Sequence, residues 1–279
     1  MAVSGSSVQA QMTFTRVLAS EWFKLRKQRS FFWTTLAALG VTLGLAILRA
    51  TGIRDTWNQE PAAALGMAAL MPSSGAKIAA FIFGLGLCIW LAQEFVSGSS
   101  ILTVQAVARR GTIFAARLVL ICIVSGLFAA SVALIGAGSV AYFLGLDWML
   151  GVLSISLFWA NLGAAFLFTL AITLMYFGLV KLMRRSLPAV IVMAVLLFVV
   201  PILQALVMLE ALPTILFSPL TSTPAGLMAE IEGSLHAAIG DGRPVISPTL
   251  SPAVAAGLLI TWCFFFVGVA GWRFSKQEW

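Results

Sequence analysis

The chain has 279 residues, of which 61% are hydrophobic and only 10% are charged. Its mean hydropathy is +1.03, whereas soluble domains carry roughly 25% charged residues. No soluble fold could hide so much apolar surface. The net charge of +7 would suggest a nucleic-acid ligand in a soluble protein, but in a membrane protein the distribution of Lys and Arg decides more than their sum. We therefore predict a membrane protein with no nucleic-acid partner.

Six long apolar runs follow one another along the chain, and none contains Asp, Glu, Lys, Arg or His. One crossing of a bilayer needs about 20 apolar residues. Backbone polar groups in hydrocarbon must pair within their own segment, so these runs predict helices. We expect an all-α integral membrane protein with six transmembrane helices, a flexible N-terminus over residues 1–13 and a single transmembrane domain over residues 14–279. The predicted spans are residues 31–48, 78–93, 118–144, 151–180, 187–209 and 253–272.

The basic residues are distributed unevenly between the two predicted sides of the membrane. Thirteen lie on one side and four on the other, so the positive-inside rule predicts that both termini are cytoplasmic. The thirteen are Arg16, Lys24, Arg26, Lys27, Arg29, Arg109, Arg110, Arg117, Lys181, Arg184, Arg185, Arg273 and Lys276, and the four are Arg49, Arg54, Lys77 and Arg243.

The segment before the first run, TFTRVLASEWFKLRKQRSFFW, repeats apolar residues at spacings of three and four. This pattern predicts an amphipathic helix in the inner membrane interface, with aromatic side chains among the headgroups and cations towards anionic lipid. A plain basic flank that only obeys topology is the alternative. The predicted apolar face holds Phe14, Val17, Leu18, Trp22 and Leu25, while Glu21, Lys24 and Arg26 are among the polar residues that fill the rest.

The connection between the second and third runs, QEFVSGSSILTVQAVARRGTIFAARL, is longer than a simple turn requires. Glu94 closes the second run, Gly98 and Ser99 interrupt the apolar pattern, and Arg109 and Arg110 precede the third run. The stretch between them has helical periodicity of its own, so it could present a short helix to a cytoplasmic partner. A long, solvated connector fits these residues equally well.

Two short motifs together resemble the ABC-2 type permease family. The first is E-W-F-K-L-R-K-Q-R before the first run, and the second is E-x-x-x-G-S from Glu94 to Ser99, followed by the basic pair. The resemblance implies that Glu21, Trp22, Lys24, Leu25 and Arg26 belong to a connecting helix. It also implies that Glu94, Gly98, Ser99, Arg109 and Arg110 belong to a coupling segment that docks on an ATP-binding subunit. Ser99 stands where the family usually has Thr, and Ala108 where a Pro often precedes the basic residue.

The sequence holds no phosphate-binding G-x-x-x-x-G-K-[ST] motif. We therefore expect no catalytic residue and no cofactor in this chain, with ATP and Mg²⁺ bound by a partner ATPase. Cys88, Cys122 and Cys263 lie within apolar runs, apart from any Cys-x-x-Cys pair, so we expect inert thiols and no metal site. The one histidine, His236, is interpreted as a solvated residue.

Few polar side chains fall inside the predicted spans, and Asn161 and Gln204 are the two amides. Either could contact a substrate, but hydrogen bonding between helices is the commoner use of such groups. Gly40 and Gly44 form a G-x-x-x-G that could mark a close helix contact. Residues 224–240, in the long connection before the last run, are predicted to form an amphipathic helix at the outer surface.

The resemblance implies the permease subunit of an ATP-binding cassette exporter, paired with an ABC ATPase and a second permease copy or a sister permease. The apolar spans suggest a hydrophobic or amphipathic cargo such as a drug, lipid or peptide antibiotic. We expect a multi-pass protein of the bacterial cytoplasmic membrane. The alternatives are an ion- or proton-coupled secondary transporter, which needs ionisable side chains that the six runs lack, and a membrane anchor or assembly factor that transports nothing.

Overall fold

The computed structural model describes residues 13–57, 61–73, 75–96, 110–199 and 252–276. Nearly all of these residues are helical and none lies in a strand, which confirms the all-α fold for the described part of the chain. The helices are α1 (Phe14–Lys27), α2 (Arg29–Trp57), α3 (Pro61–Ala69), a 3₁₀ turn (Met71–Ser73), α4 (Ala76–Val96), α5 (Arg110–Leu144), α6 (Leu146–Leu153), α7 (Ser156–Met183), α8 (Ser186–Ala194) with a π-helical extension (Val195–Val199), and α9 (Pro252–Lys276).

Five stretches of the described helices are long and apolar enough to cross a membrane, as expected of a multi-pass membrane protein. The stretch Ser186–Val199, formed by α8 and its extension, is apolar but shorter. It covers the start of the predicted span 187–209, whose remainder lies outside the described residues. The five long stretches are Arg29–Arg54, Met71–Gln93, Gly111–Phe143, Phe158–Met183 and Ala256–Phe274.

The predicted boundary of the fourth span is wrong. The apolar run 151–180 is not one helix, because α6 ends at Leu153 and α7 begins at Ser156. The backbone N–H groups of Ser154 and Ile155 donate to the carbonyls of Gly151 and Val152 at 3.3 and 3.1 Å, which closes a turn inside the run. Hydropathy does not detect this turn, because every residue around it is compatible with an apolar helix.

The helices extend beyond the predicted spans. The five long stretches take in basic residues that flank the apolar runs, namely Arg29, Arg49, Arg54, Lys77, Arg117, Lys181 and Arg273. None of the five long stretches contains Asp, Glu or His. Carboxylates and histidines are the groups that usually form proton relays within membranes.

Helix α7 lies at the centre of the bundle and packs against α4, α5, α8 and α9. Its Phe168, Tyr176 and Phe177 are fully buried, together with Phe83 of α4. Phe83 stacks on Phe128 of α5 with ring centroids 4.1 Å apart. Because lipid tails are as apolar as these side chains, close van der Waals contact rather than the hydrophobic effect favours their association inside a membrane.

A close approach between α7 and α9 depends on a glycine. A Cβ atom added at Gly178 would lie 2.7 Å from the carbonyl carbon and oxygen of Phe266, so the two backbones could not keep this distance with a larger residue. By contrast, a Cβ added at Gly40 or Gly44 meets nothing within 4 Å among the described residues. The predicted G-x-x-x-G contact is therefore not found there, because spacing alone does not say which face of a helix has a partner.

Replacing Gly178 with Ala should separate α7 from α9 and destabilise the protein by about 1 to 3 kcal/mol, the usual cost of overpacking. The matched control is Gly163→Ala in the same helix, where the added methyl group meets nothing within 4 Å among the described residues. Thermal unfolding of the two purified variants in detergent should show a lower midpoint for Gly178→Ala alone. Equal midpoints would contradict the close contact.

Candidate functional site

Several helices are held together at one end of the bundle by cationic and aromatic side chains. We call this the basic end and define it by four contacts: Glu21 of α1 with Arg117 of α5, Phe95 of α4 with Lys181 of α7, Leu182 of α7 with Arg273 of α9, and Phe114 of α5 with Phe274 of α9. The residues between α4 and α5, which carry most of the predicted coupling segment, begin and end at this end of the bundle.

Glu21 lies on the packed face of α1. Val17, Glu21 and Leu25 are buried and recur every four residues, so they share one side of the helix. Val17 packs with Ile113 and Ala116 in the first two turns of α5. The sequence pattern places Glu21 among the polar residues that fill the rest of α1, whereas in the structure its carboxylate is fully buried between the two helices.

The carboxylate of Glu21 accepts hydrogen bonds from two cations. Arg117 donates from Nε to Oε2 and from Nη2 to Oε1, both at 3.1 Å, which is a bidentate arrangement. Lys24 donates from Nζ to Oε1 at 2.9 Å from one turn further along α1. Arg117 is itself almost fully buried, so the Glu21–Arg117 pair is formed out of contact with solvent.

The charges around Glu21 determine its protonation state. Burial raises the pKa of this carboxyl group, but the charges and hydrogen bonds of Arg117 and Lys24 outweigh burial and hold the pKa below its ordinary value of 4.5. Glu21 is therefore ionised at neutral pH. A buried ion pair adds little net stability by itself, but separating its two partners is costly because it leaves a buried charge uncompensated. This cost holds α1 and α5 in a fixed relative position.

Two further cations tie the remaining helix ends together. The ammonium group of Lys181, in the last turn of α7, lies 4.9 Å from the ring centroid of Phe95 and 6.0 Å from that of Phe177. Both distances fall in the range of cation–π attraction. Arg273 of α9 donates from Nη1 to the carbonyl oxygen of Leu182 at 3.0 Å. That carbonyl is one of the last four of α7, which have no partner within the helix.

The structure describes part of the predicted site. Leu25 is buried, whereas Trp22, Lys24 and Arg26 are exposed on α1. Glu94 lies in the last turn of α4 and Arg110 is the first residue of α5. Four predicted residues and the predicted outer helix lie outside the described residues: Gly98, Ser99, Arg109, Gln204 and the range 224–240.

Asn161 lies at the opposite end of the bundle from the basic end, on the first turns of α7. Its side chain is fully buried, and Nδ2 donates to the carbonyl oxygen of Ala69 at 3.3 Å, so the amide joins α7 to the end of α3. The other amide atom, Oδ1, has no hydrogen-bond donor among the described residues. This geometry matches the use of an intramembrane amide as a link between helices.

Sequence reasoning considered Arg117, Lys181 and Arg273 only as topology signals and missed their contacts. One signal was present for the first of them. Glu21 falls four residues from both Val17 and Leu25, which places an acidic residue on the apolar stripe of α1 and so requires a buried cation as its partner. No spacing in the sequence identifies Arg117 as that cation, because the two residues are 96 positions apart.

Within the described ranges, no group of three or more His, Cys, Asp and Glu side chains is placed to hold a metal ion. No protein-family model matches the sequence, and no curated protein matches it significantly. The basic end is therefore the candidate functional site on the strength of its geometry.

Removing one partner of the buried pair should be costly. We expect Arg117→Met to destabilise the protein by about 3 kcal/mol or more, because Glu21 would remain buried without its bidentate partner. The double variant Glu21→Gln with Arg117→Met should lose less than Arg117→Met alone, since it leaves no buried charge. Thermal unfolding in detergent measures both effects, with Lys27→Met on the exposed side of α1 as the control.

The pair should also produce a defined pH profile. The pKa of Glu21 is lower in the folded protein than in the unfolded chain, so the stability it contributes is complete above about pH 4.5. This stability is lost as the pH falls through the lower folded value. Glu21→Gln should lack this acid loss, and an unchanged acid profile in that variant would show that other groups cause it.

Proposed function

We propose that this chain is the membrane subunit of an ATP-binding cassette transporter of the ABC-2 type, which exports a hydrophobic or amphipathic cargo. A separate ATPase subunit binds ATP and Mg²⁺ and hydrolyses the nucleotide, since this sequence lacks a phosphate-binding loop. Two such membrane subunits, identical or sister chains, form the transport path. The role of this chain is to transmit the motion of the ATPase.

The observation that carries this proposal is the buried bidentate pair between Glu21 and Arg117. The connection 97–109 joins α4 to α5, and Arg117 lies seven residues after the start of α5, or about 10 Å along the helix. A displacement of that connection by a docked ATPase would act on the first turns of α5. Because α1 is fixed to those turns by an ion pair that is costly to break, α1 and α5 would move together.

The other contacts of the basic end extend this coupling to the rest of the bundle. Lys181 and Phe95 join α7 to α4, on the other side of the connection. Arg273 joins α9 to the last turn of α7. A push on the connection would therefore move α7 and the helices around it together. In this way a membrane subunit without catalytic residues can use the free energy of ATP hydrolysis.

The proposal includes a topology of six spans with both termini in the cytoplasm and a location in the bacterial cytoplasmic membrane. The charge distribution of the sequence supports this orientation. In addition, Arg117, Lys181 and Arg273 have their contacts at one end of the bundle. They come from two connections and the C-terminal segment, which the charge distribution assigns to the same side.

The topology can be tested by labelling single cysteines in sealed cells, after the three native cysteines have been replaced. An impermeant reagent should label Asp147→Cys and Asp241→Cys from outside, and it should label Arg110→Cys only after the membrane is permeabilised. Labelling of position 110 in sealed cells would contradict the orientation and, with it, the access of a cytoplasmic ATPase to the connection.

The coupling role can be tested by substitutions at the two ends of the connection. Glu94→Ala, and Arg109→Ala combined with Arg110→Ala, should lower cargo efflux and transport-linked ATP hydrolysis together, with unchanged abundance in the membrane. With abundance unchanged, a large functional loss would reflect lost transmission rather than lost stability.

The matched control for the arginine pair is Arg184→Ala combined with Arg185→Ala, which removes two exposed adjacent arginines from the turn between α7 and α8. Abundance, ATPase copurification and efflux are measured in the same cells. Full activity in the Glu94 and Arg109/Arg110 variants would make the connection a simple linker. An equal loss in the control would point to a general effect of charge.

A further inference from the structure

The side of α1 that faces away from the bundle is aromatic and exposed. Val17, Glu21 and Leu25 form the packed side, and Phe23 lies about half a helical turn away from it. The Phe23 side chain is 60% exposed, and the neighbouring Trp22 is 41% exposed. We call Trp22, Phe23 and the exposed cations Arg16, Arg26 and Lys27 the outer α1 face.

The outer α1 face carries charge of one sign. Glu21 is the only acidic residue of α1, and its carboxylate is turned inwards and engaged by Arg117 and Lys24. Lys24 takes part in that internal pairing, so it is not counted in the outer face. Besides Lys24, the exposed charged residues of the helix are Arg16, Arg26 and Lys27, and all three are cationic.

Two constraints fix the depth of α1 relative to the membrane. Only Gln28 separates α1 from α2, whose membrane-crossing stretch begins at Arg29. Val17, near the other end of α1, packs against Ile113, in the first turn of the stretch that begins at Gly111. Both ends of α1 are therefore held at the level where two spans leave the apolar zone, which is the level of the lipid headgroups.

We propose that the outer α1 face binds anionic phospholipid. Aromatic side chains are favoured at the depth of the headgroups, and cations beside them are attracted to the negative surface of a membrane rich in anionic lipid. Phe32 and Trp33, exposed on the first turn of α2, continue the aromatic surface into the acyl region. The internal neutralisation of Glu21 favours this interaction, because no exposed carboxylate of α1 repels the lipid phosphates.

Through the Glu21–Arg117 pair, lipid bound to the outer α1 face also holds the first turns of α5. The inference concerns lipid binding alone and does not depend on the ATPase proposal. A membrane subunit of any mechanism could bind lipid through this face. A failure of the lipid-binding proposal therefore leaves the ATPase proposal open, and the reverse is also true.

The test uses the full chain, purified in mild non-ionic detergent with mixed micelles of phosphatidylcholine and phosphatidylglycerol. Phosphatidylglycerol retained per protein is measured by mass spectrometry as its mole fraction is raised. The variant Arg16→Gln, Arg26→Gln, Lys27→Gln should bind at least threefold more weakly, and the binding of the unmodified chain should weaken as salt is raised. The control variant Arg184→Gln, Arg185→Gln, Lys276→Gln removes the same charge from exposed positions outside α1.

Two outcomes would overturn the proposal. One is equal phosphatidylglycerol retention by the α1 variant and the unmodified chain, or an equal fall in both variants. The other is loss of a copurifying protein from the α1 variant with lipid retention unchanged, which would make the face a protein-binding surface. A thermal unfolding midpoint equal to that of the unmodified chain shows that the α1 variant is folded. If the variant is unfolded, Arg26→Gln alone and Phe23→Ser serve in its place, and each should weaken retention.

Discussion

The carboxylate of Glu21 is buried between two helices in surroundings that are otherwise apolar, and it can remain ionised there only because Arg117 and Lys24 donate to both of its oxygens. Separating α1 from α5 would be costly, because it would leave one buried ion in a low-dielectric environment without its partner. The ion pair therefore holds α1 at a fixed position beside the first turns of α5. It also determines which side of α1 faces the bundle and which side faces outwards.

The rest of the bundle depends on contacts of a different kind. A membrane offers no hydrophobic driving force between helices, because lipid is as apolar as the side chains. The central helix α7 is instead held by close approach, as at Gly178 against the Phe266 backbone, and by stacked rings such as Phe83 on Phe128. At the basic end, Lys181 and Arg273 add electrostatic contacts between helix ends. The apolar middle therefore provides packing, and the ends provide polar contacts that fix which helices move together.

Hydropathy predicted the fold class and most of the described spans, because the length and polarity of a membrane-crossing helix are fixed by the bilayer. It was less informative about where helices end. The turn at Ser154 and Ile155 is made by backbone hydrogen bonds within an apolar run, and the cations Lys77 and Lys181 lie inside helices that continue past the apolar residues. Neither feature changes the average polarity of a sequence window enough to be detected.

For the candidate site, the sequence by itself determined the composition of α1, the basic character of the helix ends and the absence of a phosphate-binding loop. Only the tertiary structure decided which cation meets Glu21, which aromatic ring meets Lys181 and which glycine meets a neighbouring backbone. The physical reason is that these contacts join residues about 90 positions apart, as for Glu21 with Arg117 and Leu182 with Arg273. Local periodicity specifies the face of a helix on which a residue lies, whereas the partner of that face depends on how the helices pack.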